Sequence, residues 1–143
     1  MVRCSNGLRI DAVEDIIFLS VDDVLLLHTD TIDIDGGSHG VRDHGLLDAA
    51  VAMPRQQFGG AYLHEDLAAM AAAYLFHLAQ NHPFVDGNKR AAVMAALSFL
   101  HVNDIERLPA PQELETTTLQ VAAGELSKDT LTQWMRDQIG KRR

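Results

Sequence analysis

Apolar positions in this chain gather in runs of ten or more and alternate little, which marks helices rather than strands. Two runs dominate: Leu67-Ala-Ala-Met-Ala-Ala-Ala-Tyr-Leu-Phe76 and Ala91-Ala-Val-Met-Ala-Ala-Leu-Ser-Phe-Leu100. A helix without a polar face must be surrounded by protein. Helices over residues 66–81 and 88–103 are therefore expected at the centre, and their many alanines let neighbours approach closely.

The flanking pattern predicts four more helices. Ser20 followed by Asp23 resembles a capping box that starts the first, with Val21, Val24, Leu25 and Ile32 on one face. The Gly- and Asp-rich stretch Asp33–Gly40 reads as a loop. Asp43 caps a second helix that Pro54 stops after Met53. Residues 54–65, with Gly59-Gly60, Phe58 and Tyr62, read as a loop or irregular hairpin. A fifth helix is expected from Pro111 to near Gly124. The sixth is expected from Ser127 to Gly140, with Trp134 as a core anchor. Ile16–Leu19 is an extended lead-in, and residues 1–15 form a peripheral extension to a domain spanning 16–143. The expected fold is a single all-α domain of about six helices.

Composition narrows the setting. At 143 residues, area scaling buries about 68% of the unfolded surface, enough for one core without staples. A single cysteine, Cys4, excludes a disulfide framework and any multi-cysteine zinc site. No apolar run reaches the length of a spanning helix, and the polar start is no signal peptide, so a cytoplasmic protein without membrane contact is expected. The formal net charge of -8 argues against direct nucleic-acid binding, which needs a clustered positive stripe.

That acidic balance reverses at one place, the connection His82-Pro-Phe-Val-Asp-Gly-Asn-Lys-Arg90 between the two central helices. A helix start offers free N–H groups and the positive end of a dipole, an anion site. Gly87 permits close approach of a ligand, and Asn88 can cap the helix and donate to an oxyanion. Lys89 and Arg90 place two cations where they disfavour the helix itself, which points to an anionic ligand. His82 carries the side chain best suited to exchange a proton near neutral pH. Asp86 offers a hard oxygen for Mg²⁺ shared with nucleotide phosphates. Together these are the parts of a phosphoryl or nucleotidyl transfer site. Taken one at a time they are ordinary: a helix-end histidine, an Asp-Gly-Asn turn and a solvated Lys-Arg pair. His77 and His82 are five apart and do not align on a helix, so no zinc site is expected there. His77 reads as an internal helix residue with a satisfied nitrogen. His28, His39, His44, His64 and His101 show no partner pattern.

The nonapeptide resembles the signature of the Fic/Doc superfamily, His-x-Phe-x-Asp/Glu-Gly/Ala-Asn-Gly/Lys-Arg, and looks most like its Doc (death-on-curing) branch of toxin–antitoxin toxins. The likeness extends over about Phe18 to Met135, including Phe18–Val24, Gly40–Ala50 and Pro54–Gly60. It implies that His82 is the general base, Asp86 the metal ligand, Gly87 and Asn88 the anion hole, and Lys89 and Arg90 the phosphate grip. ATP and Mg²⁺ are the implied cofactors. Residues 54–65 would be the flap that docks a target polypeptide.

Adenylylating members carry Gly at the Lys89 position and a second Arg where this chain has Val93. Lys89 and Val93 therefore favour transfer of the γ-phosphate of ATP to a protein hydroxyl, with elongation factor Tu as the implied target and translation as the process blocked. Adenylyl transfer and a catalytically silent antitoxin-binding module remain as alternatives. The second gains mild support from Met94, where the Doc branch has Asn. Self-inhibited members carry a Ser/Thr-x-x-x-Glu helix. The nearest stretch here, Thr31–Gly36, reads as a loop, which leaves inhibition to a separate cognate antitoxin.

Overall fold

The computed structural model describes residues 16–140, so the reading of residues 1–15 as an extension lies outside the described residues. Six α-helices follow in order: α1 (Val21–Asp35), α2 (His44–Ala52), α3 (Leu67–Asn81), α4 (Asn88–Val102), α5 (Pro111–Ala122) and α6 (Lys128–Gln138). The all-α expectation holds. Within residues 54–65, expected as a loop or irregular hairpin, lies a two-stranded hairpin, β1 (Gln57–Phe58) and β2 (Ala61–Tyr62), with Gln57 opposite Tyr62 and Phe58 opposite Ala61.

The starts of the helices follow from their caps. Ser20 and Asp23 form the expected reciprocal box, at 3.1 and 2.8 Å. Asp43 accepts from the Leu46 N–H, Asp66 from that of Ala69, and Ser127 from that of Thr130. Pro111 occupies the first turn of α5. After α2, Pro54 sits in a short 3-10 turn, Met53–Arg55, rather than ending the chain's helical path outright.

Helix α3 packs against α2, α4, α5 and α6, and it is buried along most of its length. Six of its buried residues are alanines, which bring α4 close. Around the pair lie Leu47, Leu114, Leu131 and Met135, each without exposure. Trp134 is partly buried against this core. The lead-in Ile16–Leu19 is held from inside. Its Leu19 N–H donates to the Tyr74 hydroxyl at 2.8 Å, and Asn103 exchanges hydrogen bonds with Ile17. Burial pushes the Tyr74 hydroxyl up to about 12, so it remains a neutral partner.

The expected end of the first helix is not observed. Residues Thr31–Asp35 are not a loop but the last turn of α1, which ends only at Gly36. Turn chemistry predicted the loop, yet Thr31 and Ile32 are buried, and the Thr31 hydroxyl donates back to the Leu27 carbonyl at 2.9 Å. Packing of this face outweighs the weak helix propensity of Thr, Ile and Asp.

Candidate active site

The connection between α3 and α4 is built from both of its ends. His82 terminates α3 in the left-handed region at φ 48°, a conformation that costs a non-glycine residue about 1–2 kcal/mol. Arg42 holds it there. Its Nε donates to the His82 carbonyl at 2.7 Å and its Nη2 to the Asn81 carbonyl at 2.9 Å. A cation thus sits on the negative end of α3, where it belongs. The same segment runs antiparallel to the loop. The Arg42 and Asp43 N–H groups donate to the Pro83 carbonyl, and the Val85 N–H donates to the Gly40 carbonyl. The His82 ring itself is half-buried and carries no hydrogen bond among the described residues, which leaves it open to a substrate proton.

Phe84 is the loop's anchor, 1% exposed and stacked on the His28 ring with centroids 3.7 Å apart and planes 4° from parallel. His28 lies on α1, 3% exposed, with Nε2 2.7 Å from the Asp86 carbonyl oxygen. Helix α1 is therefore the second wall of the site. Sequence reading missed both His28 and Arg42. Their partners lie 58 and 40 residues away, beyond any local pattern.

Helix α4 starts differently from the expectation. Gly87, at φ 75°, is the capping residue, and no side chain caps this end. Asn88 instead turns back on the loop. Its Oδ1 accepts from the Phe84 N–H at 2.8 Å, and its Nδ2 donates to the Phe84 carbonyl at 3.0 Å. Asn88 thus shapes the loop rather than capping the helix, and the second hydrogen of its Nδ2 is left over from the bond to Phe84. Its backbone N–H, at the uncapped helix start, is a further donor there. Gly87 is constrained sterically as well, because a Cβ there would stand 3.0 Å from Ile32 Cδ1.

Asp86 is exposed but oriented. Its Oδ1 accepts from the Gly87 N–H at 2.9 Å and its Oδ2 from the Ser38 N–H at 3.1 Å. Each oxygen keeps acceptor capacity, which fits a Mg²⁺ held by one carboxylate and completed by phosphates and water. Among the described residues no group of three or more His, Cys, Asp or Glu could hold a metal unaided. Gly37 permits this arrangement, since a Cβ there would lie 2.7 Å from Asp86 Oδ2.

Lys89 and Arg90 project from the first turn of α4 into solvent, with no acid in that turn to neutralise them. Arg90 faces Asp35, the last residue of α1, at 3.9 Å, with both side chains about half exposed. A pair this long and wet is weak. The misread turn of α1 thus ends beside the phosphate grip. Val93 is 7% exposed in the core and Met94 is 39% exposed, so neither adds a cation. An uncapped helix start, two unburied cations, an oriented carboxylate and an unengaged imidazole can together bind a polyphosphate and accept a proton from an incoming hydroxyl.

Known proteins share this sequence pattern. The Fic/DOC family pattern matches residues 18–100. The chain is 52% identical over 71 residues to Toxin Doc of Mycolicibacterium smegmatis, covering 50% of this chain and 55% of that relative, about half its length. It is 34% identical over 123 residues to Protein kinase doc of Escherichia phage P1, covering 85% of this chain and 95% of that protein. No described helix is long and apolar enough to cross a membrane. Since the family match runs from the lead-in through α4 and takes in the whole nonapeptide, the chain belongs to the Fic/DOC family, in its Doc branch.

Proposed function

We propose that this chain is a Doc-type toxin that moves the γ-phosphate of ATP to a hydroxyl of a bacterial target protein, with elongation factor Tu the candidate target. The observation that carries the reading is the start of α4, where an uncapped helix end bears Lys89 and Arg90 beside the Asp86 carboxylate. Backbone N–H groups of the first turn of α4, from Asn88 onward, and the two cations bind the phosphates, while Gly87, its own N–H held by Asp86 Oδ1, leaves the approach to them open. Asp86 would hold Mg²⁺, which when bound neutralises charge on the transferring group. His82 takes the proton of the attacking hydroxyl as the new P–O bond forms and ADP departs. The name Protein kinase doc, borne by the phage relative, supports phosphate over adenylyl transfer. So does buried Val93, which leaves no second arginine to hold ATP in the opposite sense.

The β1–β2 hairpin, with Phe58 84% exposed, is the surface on which a target segment docks. A cognate antitoxin restrains the toxin, with no direct contact to nucleic acid, and the reaction takes place in the cytoplasm. Purified protein incubated with γ-labelled and α-labelled ATP and elongation factor Tu tests the proposal. Label from the γ position alone, lost in His82→Ala, is expected. Label from the α position establishes adenylyl transfer instead. Absence of both labels from any bacterial protein overturns the enzymatic reading.

A further inference from the structure

The chain has three lysines, Lys89, Lys128 and Lys141, and Lys128 is not placed as a surface cation. Lys128 begins α6, is half-buried, and turns inward so that its Nζ lies 3.0 Å from His77 Nε2 on α3. Among the described residues it makes no ion pair. Beside it opens a cavity of about 280 Å³, lined in part by Leu63, His64, Ala69 and Thr132. His64 follows the β1–β2 hairpin, is 7% exposed, and its Nδ1 is buried without a hydrogen-bond partner.

The charges around the cavity leave Lys128 poorly compensated. Arg136 also lines it, but Arg136 is bound to Asp66 at 2.8 Å and faces Glu65 at 3.9 Å. Asp129 favours the ammonium, yet burial outweighs it and lowers the Lys128 pKa. The imidazole that Lys128 addresses cannot supply a counter-charge. Burial, then Lys128 and His64, hold His77 down to about 4, so it is neutral at physiological pH. His64 is lowered for the same first reason. A desolvated ammonium that meets a neutral imidazole in place of a carboxylate gives up its proton more readily than a solvated one, and the free amine is the nucleophile.

We propose that Lys128 is a covalent modification site, acylated on Nζ by small activated acyl donors of the acyl-phosphate or thioester class. The amine nitrogen attacks the acyl carbonyl carbon, and a C–N bond forms. The bond to the phosphate or thiolate breaks with its electron pair on the leaving group, and the surplus proton on nitrogen passes to solvent. The amide formed retains one N–H for His77 Nε2. Its carbonyl oxygen adds an acceptor beside His64, and its apolar end meets Leu63 and Ala69. The cavity thus accommodates the product as well as exposing the reactant.

Limited reaction of the folded protein with uncharged N-hydroxysuccinimidyl acetate tests this, because that reagent is not drawn to the phosphate grip at Lys89. Site occupancy is read by peptide mass spectrometry across a pH series, folded and in concentrated urea. Lys128 is expected to react several-fold faster than Lys89 and Lys141 at neutral pH, and its rate should level off at lower pH. Urea should erase the preference. Equal or slower reaction of Lys128 in the folded protein overturns the proposal. A preference that persists in urea overturns it too, by tracing reactivity to local sequence rather than to the cavity.

Discussion

His28 ties α1 to the active-site loop, and replacing it measures how firmly. In His28→Ala the Asp86 carbonyl loses a 2.7 Å partner, which costs about 1–2 kcal/mol. The parallel stack on Phe84 is worth about 1 kcal/mol more, and the emptied space beside a fully packed ring adds about 1. The sum is about 3–4 kcal/mol. With a urea dependence of about 1.5 kcal/mol per molar, the unfolding midpoint should fall by about 2 M. His28→Phe keeps the stack but not the hydrogen bond, and should fall between the wild type and His28→Ala. Equilibrium urea unfolding followed by circular dichroism reads both. The second readout is the rise in melting temperature on adding Mg-ATP, which follows mass action. It should shrink in both variants, because the backbone at Asp86, from which the carboxylate projects, is no longer tied to α1. A midpoint for His28→Ala within about 0.3 M of wild type refutes the reasoning, since it would mean that neither contact is stabilising.

Three other outcomes follow from the geometry. His77 stays neutral in the folded chain down to about pH 4, whereas the unfolded chain takes up its proton near 6.5. Stability should therefore be full above about pH 6.5 and fall toward pH 4, by about 2 kcal/mol once partial exposure is discounted from a ceiling near 3.4. His64 adds in the same direction, and His77→Gln should flatten the curve in urea titrations run at each pH. Gly37→Ala should push the Asp86 carboxylate aside, weakening ATP binding by calorimetry in the presence of Mg²⁺ more than in its absence. Asn88→Ala removes two hydrogen bonds to Phe84, about 2 kcal/mol, and should lower the melting temperature by about 6 °C in a calorimetric scan.

How much of this was legible in sequence depends on the range of each interaction. Caps act over three residues, so Ser20, Asp43 and Ser127 could be read directly, and the two Ala-rich runs declared their burial by lacking a polar face. The nonapeptide is equally local. What escaped reading was set at a distance. Nothing near His28 signals that its ring meets Phe84, and nothing near Arg42 signals that it closes α3. Asn88 misled because its type suits a cap. Its amide instead finds the free backbone of Phe84 four residues earlier, and Gly87 takes the cap through a φ that asparagine adopts less easily. The end of α1 misled for the opposite reason. Asp33, Asp35 and Gly36 carry turn chemistry, but the burial of Thr31 and Ile32 was decided by α4 and the loop, not by neighbours in sequence.

The alanine seam of α3 has a consequence for control. Ala71, Ala72 and Ala73 are wholly enclosed, as are Ala91, Ala92, Ala95 and Ala96 on α4, so these backbones lie against one another with no slack for sliding or swelling. The loop that joins them is pinned by Phe84 into the same mass. Amide protons on both sides of the loop should then exchange only when the whole domain opens, with no cheaper partial route. A centre built this way cannot be tuned by loosening. It is either assembled or lost with the fold, so a silencer that leaves the fold intact acts on the exposed ligand face at the start of α4 rather than on the packing beneath it.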